Sequence, residues 1–140
     1  MALYKTILVT LECTPTDRAI IEHIKLLASA MQSRVVLLHV ATGVPAKYHR
    51  TDAAGKEVEE SKAFLGRARA EFAAAGITAE AQLAFGEPAK EIVNWVQQNG
   101  CDLVAMSTHG HGFLADLFLG SASRHVRHKI RVPVLLLRAR

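Results

Sequence analysis

The sequence predicts an α/β fold, a single doubly wound, mostly parallel five-stranded sheet with helices on both faces. Three observations lead there. Continuous apolar, β-branched segments recur along the chain, segments of helical period lie between them, and the two kinds alternate, five strands to four helices. Strands that are apolar on both faces need cover on both faces, and a crossover helix between successive strands makes them parallel, with a right-handed connection.

Each element has its own signature. Thr6 to Leu11 (TILVTL) is apolar and β-branched, the pattern of a buried strand. Thr14, Pro15 and Asp17 follow as N-cap, first helical residue and closing acid of a capping box. Ile20, Ile24, Leu27 and Met31 then mark one face of a helix, and Arg34 to Val40 (RVVLLHV) forms a second apolar strand. Ala41 to Gly55 has no periodicity and reads as a long mobile loop, in which Lys47, His49 and Arg50 are solvated charges able to close over an anion. Val58, Leu65, Ala68 and Phe72 carry a second helix, stopped by Gly76 in the position after the cap. Ile77 to Phe85 (ITAEAQLAF) alternates, as a strand with one wetter face does. Gly86 and Pro88 announce a third helix that buries Ile92, Val93 and Val96, with Trp95 as packing, and Gly100 ends it. Asp102 to Ser107 is a fourth strand, Ser121 to Ile130 a fourth helix, and Val132 to Arg138 (VPVLLLR) the last strand.

Composition bounds the function. The 140 residues read as one domain, 1–140, without internal repeat or linker. Half are hydrophobic and 21% charged, a globular balance. The apolar runs are far too short for a membrane span, and the first residues, MALYKTILVTLE, make a poor signal peptide. Cys13 and Cys101 are the only cysteines and have no CxxC spacing, which suits a reducing compartment, the cytoplasm. A net charge of +4 admits an anionic ligand without demanding nucleic acid.

Doubly wound sheets bind ligands at the carboxyl ends of their strands, where the strand order reverses. Glu12 follows the first strand, and Ser107, Thr108, His109 and Gly110 follow the fourth. Gly110 and Gly112 lack side chains, so their N–H groups can converge on an anion. Gly120 and Ser121 open the fourth helix, whose first N–H groups are unpaired and whose dipole is positive there. The alternative is plain: Ser121 is an N-cap and the glycines only form a turn.

The chain resembles the universal stress protein family over nearly its whole length. In nucleotide-binding members a glycine is followed by two residues, a second glycine, nine residues, and a glycine with Ser or Thr. Here Gly110 is followed by the nine residues His111 to Leu119 and then by Gly120-Ser121. STHG, RVPVLLLR, GEPAKEIVNWV and CDLVAMSTHG are also similar to family segments in order and spacing. The resemblance implies a stress-response protein of the cytoplasm that binds an adenine nucleotide, ATP with Mg²⁺, as a sensor or regulator. The residues it implies for the nucleotide are Glu12, Val40, Ser107, His109, Gly110, Gly112, Gly120, Ser121 and Ala122. Glu12 would accept hydrogen bonds from a ribose hydroxyl or adenine amine, the alternative being a solvated loop acid or a helper of the nearby helix cap. Val40 would offer its backbone to adenine, being otherwise an ordinary strand residue. The family's other branch sets the alternative, a nucleotide-free dimeric interaction module. In either case the resemblance implies a homodimer through the last strand, Val132 to Leu137, paired antiparallel across a two-fold axis. Pro133 cannot donate to such a ladder, which centres the pairing on Val134 to Leu136.

Two departures stand out. Ser107 occupies the place of the motif's first glycine, and Glu12 that of an acid that is usually Asp. If the glycine serves a positive φ, serine there costs roughly 1–2 kcal/mol. If it serves close approach, the hydroxyl either crowds a phosphate or donates to it.

Other chemistries find less support. His109 and His111 form an HxH, but in a glycine loop without a matching acidic or cysteine cluster it assigns no metal site. His125 and His128 lie among Arg124, Arg127, Lys129 and Arg131, away from the apolar line Ala122, Val126 and Ile130, and read as a solvated basic face. That face lacks interleaved aromatics or a nucleic-acid module. His39 reads as a core histidine whose hydrogen bonds are satisfied. No GxSxG, Walker lysine or nucleophile–base set occurs, so catalysis is limited to slow ATP hydrolysis at most.

Overall fold

A computed structural model of the chain describes residues 3–41, 52–108 and 128–138. Thr6–Thr10 (β1), Arg34–Ala41 (β2), Ala79–Phe85 (β3), Leu103–Thr108 (β4) and Val134–Arg138 (β5) form one five-stranded sheet in the order β3-β2-β1-β4-β5. Every neighbouring pair is parallel. Among the described residues three helices accompany it, Arg18–Met31 (α1), Asp52–Ala74 (α2) and Pro88–Asn99 (α3), with a 3₁₀ turn at Pro15–Asp17 before α1.

Side chains alternate across a strand, so each strand feeds two cores. Ile7, Val9, Val35, Leu37, Leu103 and Ala105 pack on one face against Ile20, Ile21, Ile24 and Ala28 of α1 and Leu65, Ala68 and Phe72 of α2. Leu8, Val36, Leu38, Val104 and Met106 pack on the other against Ile92, Val93 and Val96 of α3, joined by Ile130. The sheet is therefore covered on both faces, which is why its central strands are continuous apolar runs. The outermost strand β3 is half-buried and alternates, with Ala79, Ala81 and Leu83 on the first core and Glu80 and Gln82 in a polar chain on the other face. There Glu80 accepts from Arg34 and Gln82, and Gln82 from the indole N–H of Trp95.

Local signals act as expected at the helix ends. Gly76 has φ +80°, and the Ile77 and Gly76 N–H groups bond back to the Phe72 and Ala73 carbonyls at 3.0 and 2.9 Å. That is a Schellman closure, with Ile77 and Phe72 buried in the same core. Two details differ from expectation. The buried stripe of α1 is Ile20, Ile21, Ile24 and Ala28, while Leu27 and Met31 are only partly buried, because the helix sits rotated on the sheet. The stretch 41–55 is shorter as a loop than its composition suggests. Ala41 closes β2 opposite Phe85, and α2 already begins at Asp52. Alanine is the best helix former, and the two alanines that precede Gly55 outweigh it. Residues 42–51, with the mobility expected of them and with Lys47, His49 and Arg50, lie outside the described residues.

Candidate functional site at the sheet's switch point

From β1 the chain builds outward to β2 and β3, then returns by α3 to lay β4 against the other side of β1. The order reverses between β1 and β4, and their carboxyl ends frame the crevice where such a sheet takes a ligand. Val9 is level with Ala105, so Ser107 lies two residues further along β4, as Leu11 does beyond β1. Glu12 follows directly, and Val40 is next to last in β2. The structure thus brings Glu12, Val40 and Ser107 to the same end of three adjacent strands. His109, Gly110, Gly112, Gly120, Ser121 and Ala122 lie outside the described residues, as does most of the expected fourth helix.

Ser107 settles one question posed by its sequence. It sits in β4, paired with Leu137, and the described non-glycine residues with positive φ are Cys13 and Gln32 alone. The serine is under no left-handed strain, so the reading in which it forces an unfavourable turn is overturned. Its hydroxyl is the notable feature. Ser107 is 1% exposed and its Oγ has no hydrogen-bond partner among the described residues. Thr10 is 2% exposed and its Oγ1 is likewise unpartnered. By strand alternation Thr10 faces α3, with Leu8, and Ser107 faces α1 and α2, with Ala105. Two buried hydroxyls therefore lie near the carboxyl ends of β1 and β4, on opposite faces of the sheet. Sequence reasoning missed Thr10, whose signal was a polar residue inside an apolar strand.

The turn after β1 is built around Asp17. Its fully buried carboxylate accepts from the N–H groups of Glu12 at 3.1 Å, Cys13 at 2.7 Å and Thr14 at 3.3 Å. Burial pushes this carboxyl above its ordinary range, against the pull of those three bonds. Upstream, the Leu11 N–H donates to the Leu38 carbonyl at 2.8 Å, and the Leu11 carbonyl accepts from the His39 ring at Nδ1, 2.7 Å. The turn's N–H groups are thus spent internally and cannot cradle a phosphate. Glu12, in this turn, carries a carboxylate, an acceptor suited to hydroxyls and amines.

Neither thiol is poised for nucleophilic chemistry. Burial and the nearby Asp17 push Cys13 up to about 12, and burial and Asp102 push Cys101 up to about 11. Among the described residues no three His, Cys, Asp or Glu side chains group as a metal site, and no helix is long and apolar enough to cross a membrane.

The universal stress protein family's sequence pattern matches residues 3–138. The chain belongs to the universal stress protein family. It is similar to universal stress protein YxiE of Bacillus subtilis, 32% identical over 124 residues that cover 80% of this chain and 84% of that one. It is also similar to a universal stress protein of Methanocaldococcus jannaschii, 24% identical over 97% of this chain and 96% of that one. The solved structure of that archaeal protein superimposes with a TM-score of 0.80 at 26% identity over 99% of both chains. Two other solved universal stress proteins share the fold. One is in complex with cAMP (TM-score 0.73, 20% identity, 99% of this chain and 100% of that one). The other, from Archaeoglobus fulgidus, is in complex with dAMP (TM-score 0.68, 18% identity, 96% and 98%).

Proposed function

We propose that this universal stress protein, acting as one domain, binds an adenine nucleotide, ATP with Mg²⁺, at the carboxyl ends of β1 and β4, and serves as a sensor or regulator. The observation that carries the reading is the pair of buried hydroxyls near the carboxyl ends of β1 and β4, Thr10 Oγ1 and Ser107 Oγ, that the described residues leave unsatisfied. Such a group costs about 1–3 kcal/mol unless something bonds it, and a polar ligand in the crevice would do so. Glu12 would accept from a ribose hydroxyl or the adenine amine, and the Val40 backbone would meet the base. Gly110, Gly112, Gly120, Ser121 and Ala122 would receive the phosphates by their N–H groups at a helix start, with His109 beside them. Mg²⁺ would neutralise phosphate charge. The cAMP and dAMP complexes show that proteins of this fold hold adenine nucleotides, which supports the ligand class.

Calorimetric titration tests it. ATP with Mg²⁺ should bind the wild type, and Gly120→Val should abolish binding with the melting temperature preserved, because a side chain blocks the phosphate approach. Absence of binding by ATP, AMP and cAMP at millimolar concentration would leave the second reading, a nucleotide-free dimeric module.

Dimerisation is proposed under both readings. β5 is an edge of the sheet, and Leu136 is 38% exposed on it. An apolar edge strand invites pairing with a second copy, here along Val132 to Leu137.

A further inference from the structure

We infer that His39 is a positioning residue, which holds the Leu11 carbonyl through its Nδ1–H and so fixes where Glu12 enters the crevice. For its effect on ligand binding, though not for its effect on the turn, this rests on the nucleotide reading above. The contact is short, 2.7 Å, and spans two strands. A carbonyl oxygen only accepts, so Nδ1 carries the proton, and in the neutral ring Nε2 is left as an acceptor.

The geometry around it explains why such a hold is needed. β1 pairs with β2 up to Thr10 opposite Leu38, and the Leu11 N–H makes the last backbone bond to β2, at the Leu38 carbonyl. Beyond that point the chain leaves the sheet. Asp17 then gathers the N–H groups of Glu12, Cys13 and Thr14, so it restrains the donor side of the turn only. The acceptor side of the Leu11–Glu12 peptide is held by His39. With one hold on each side, that peptide plane cannot rotate, and the strained Cys13 (φ +61°) that follows is kept in place. The Glu12 side chain departs from this clamped peptide, so its direction depends on both holds.

A histidine that merely fills the core would tolerate an apolar replacement, whereas a hydrogen-bond donor at this place would not. The test compares His39→Leu with His39→Asn, whose side-chain amide places an N–H close to the ring Nδ1. Two readouts are taken, amide exchange at Glu12, Cys13 and Thr14, and the affinity for ATP with Mg²⁺. His39→Leu should speed exchange at those three amides while β4 and α3 stay protected. It should weaken ATP binding by about tenfold, the factor set by one net hydrogen bond. His39→Asn should restore both to near wild type. Unchanged exchange in His39→Leu, or a His39→Asn protein as impaired as His39→Leu, overturns the inference. If the wild type binds no ATP, the nucleotide reading falls and the exchange comparison alone decides the role of His39.

Discussion

Replacing Thr10 by valine should stabilise the empty protein and weaken its hold on nucleotide, two effects of opposite sign from one oxygen atom. Valine matches threonine in shape, so the packing of this face of the sheet, where Thr10 lies opposite Leu38, is kept. The hydroxyl is buried with no partner among the described residues, at 2% exposure. Removing an orphan of this kind recovers about 1–3 kcal/mol. With an unfolding entropy of roughly 2 cal/mol/K per residue, each kcal/mol raises the melting temperature of a chain this long by about 3 °C. An increase of about 3–10 °C is therefore expected by calorimetry without ligand. With ATP and Mg²⁺ the same variant should bind roughly 3–10-fold more weakly, since one net hydrogen bond is lost. Ser107→Ala should act in the same two directions from the other face, and Ser107→Gly should be the less stable of the two, because no positive φ is there for glycine to relieve. A Thr10→Val protein that melts below the wild type would refute the reasoning, by showing that the hydroxyl already has a partner in the fold.

Asp17→Ala should strip three turn N–H groups of their acceptor at once and cost about 2–4 kcal/mol by urea denaturation, with Asp17→Asn falling between. Leu136→Lys should convert a β5-paired dimer to monomer by light scattering without unfolding it, whereas Leu135→Lys should unfold the chain, because Leu135 packs on the core beneath α1. Arg18 and Lys25 hold the Glu71 carboxyl below its usual range by hydrogen bonds that tie α1 to α2. A carboxyl with a lowered folded pKa contributes stability above its unfolded value, near 4.3, and loses it as pH falls through the folded one. Glu71→Gln should therefore flatten the stability profile below about pH 5 and leave its shape unchanged above, as read by thermal melts across pH.

Much of this architecture was legible in the order of residues. The alternation of apolar strands with helical segments gave the class of fold, Gly76 gave the end of α2, and the alternating pattern of Ala79 to Phe85 matched an edge strand. These are local signals, since periodicity and backbone preference are set by a residue and its near neighbours in sequence. Glu12, Val40 and Ser107 were legible as strand-end residues for the same reason. What the sequence left open depended on which strand lies beside which. Only the order β3-β2-β1-β4-β5 puts the reversal between β1 and β4 and sets Ser107 beyond the level of Val9. The start of α2 at Asp52 inside an expected loop, the three-fold use of Asp17, the reach of His39 to Leu11 and the inward turn of Leu135 beside an outward Leu136 were decided there too. The same holds for Thr10, a common β-branched strand residue until the packing of β1 between β2 and β4 buries its hydroxyl without a partner among the described residues. Whether a polar atom is satisfied depends on distant atoms brought near by folding, and no local pattern in the chain carries that information.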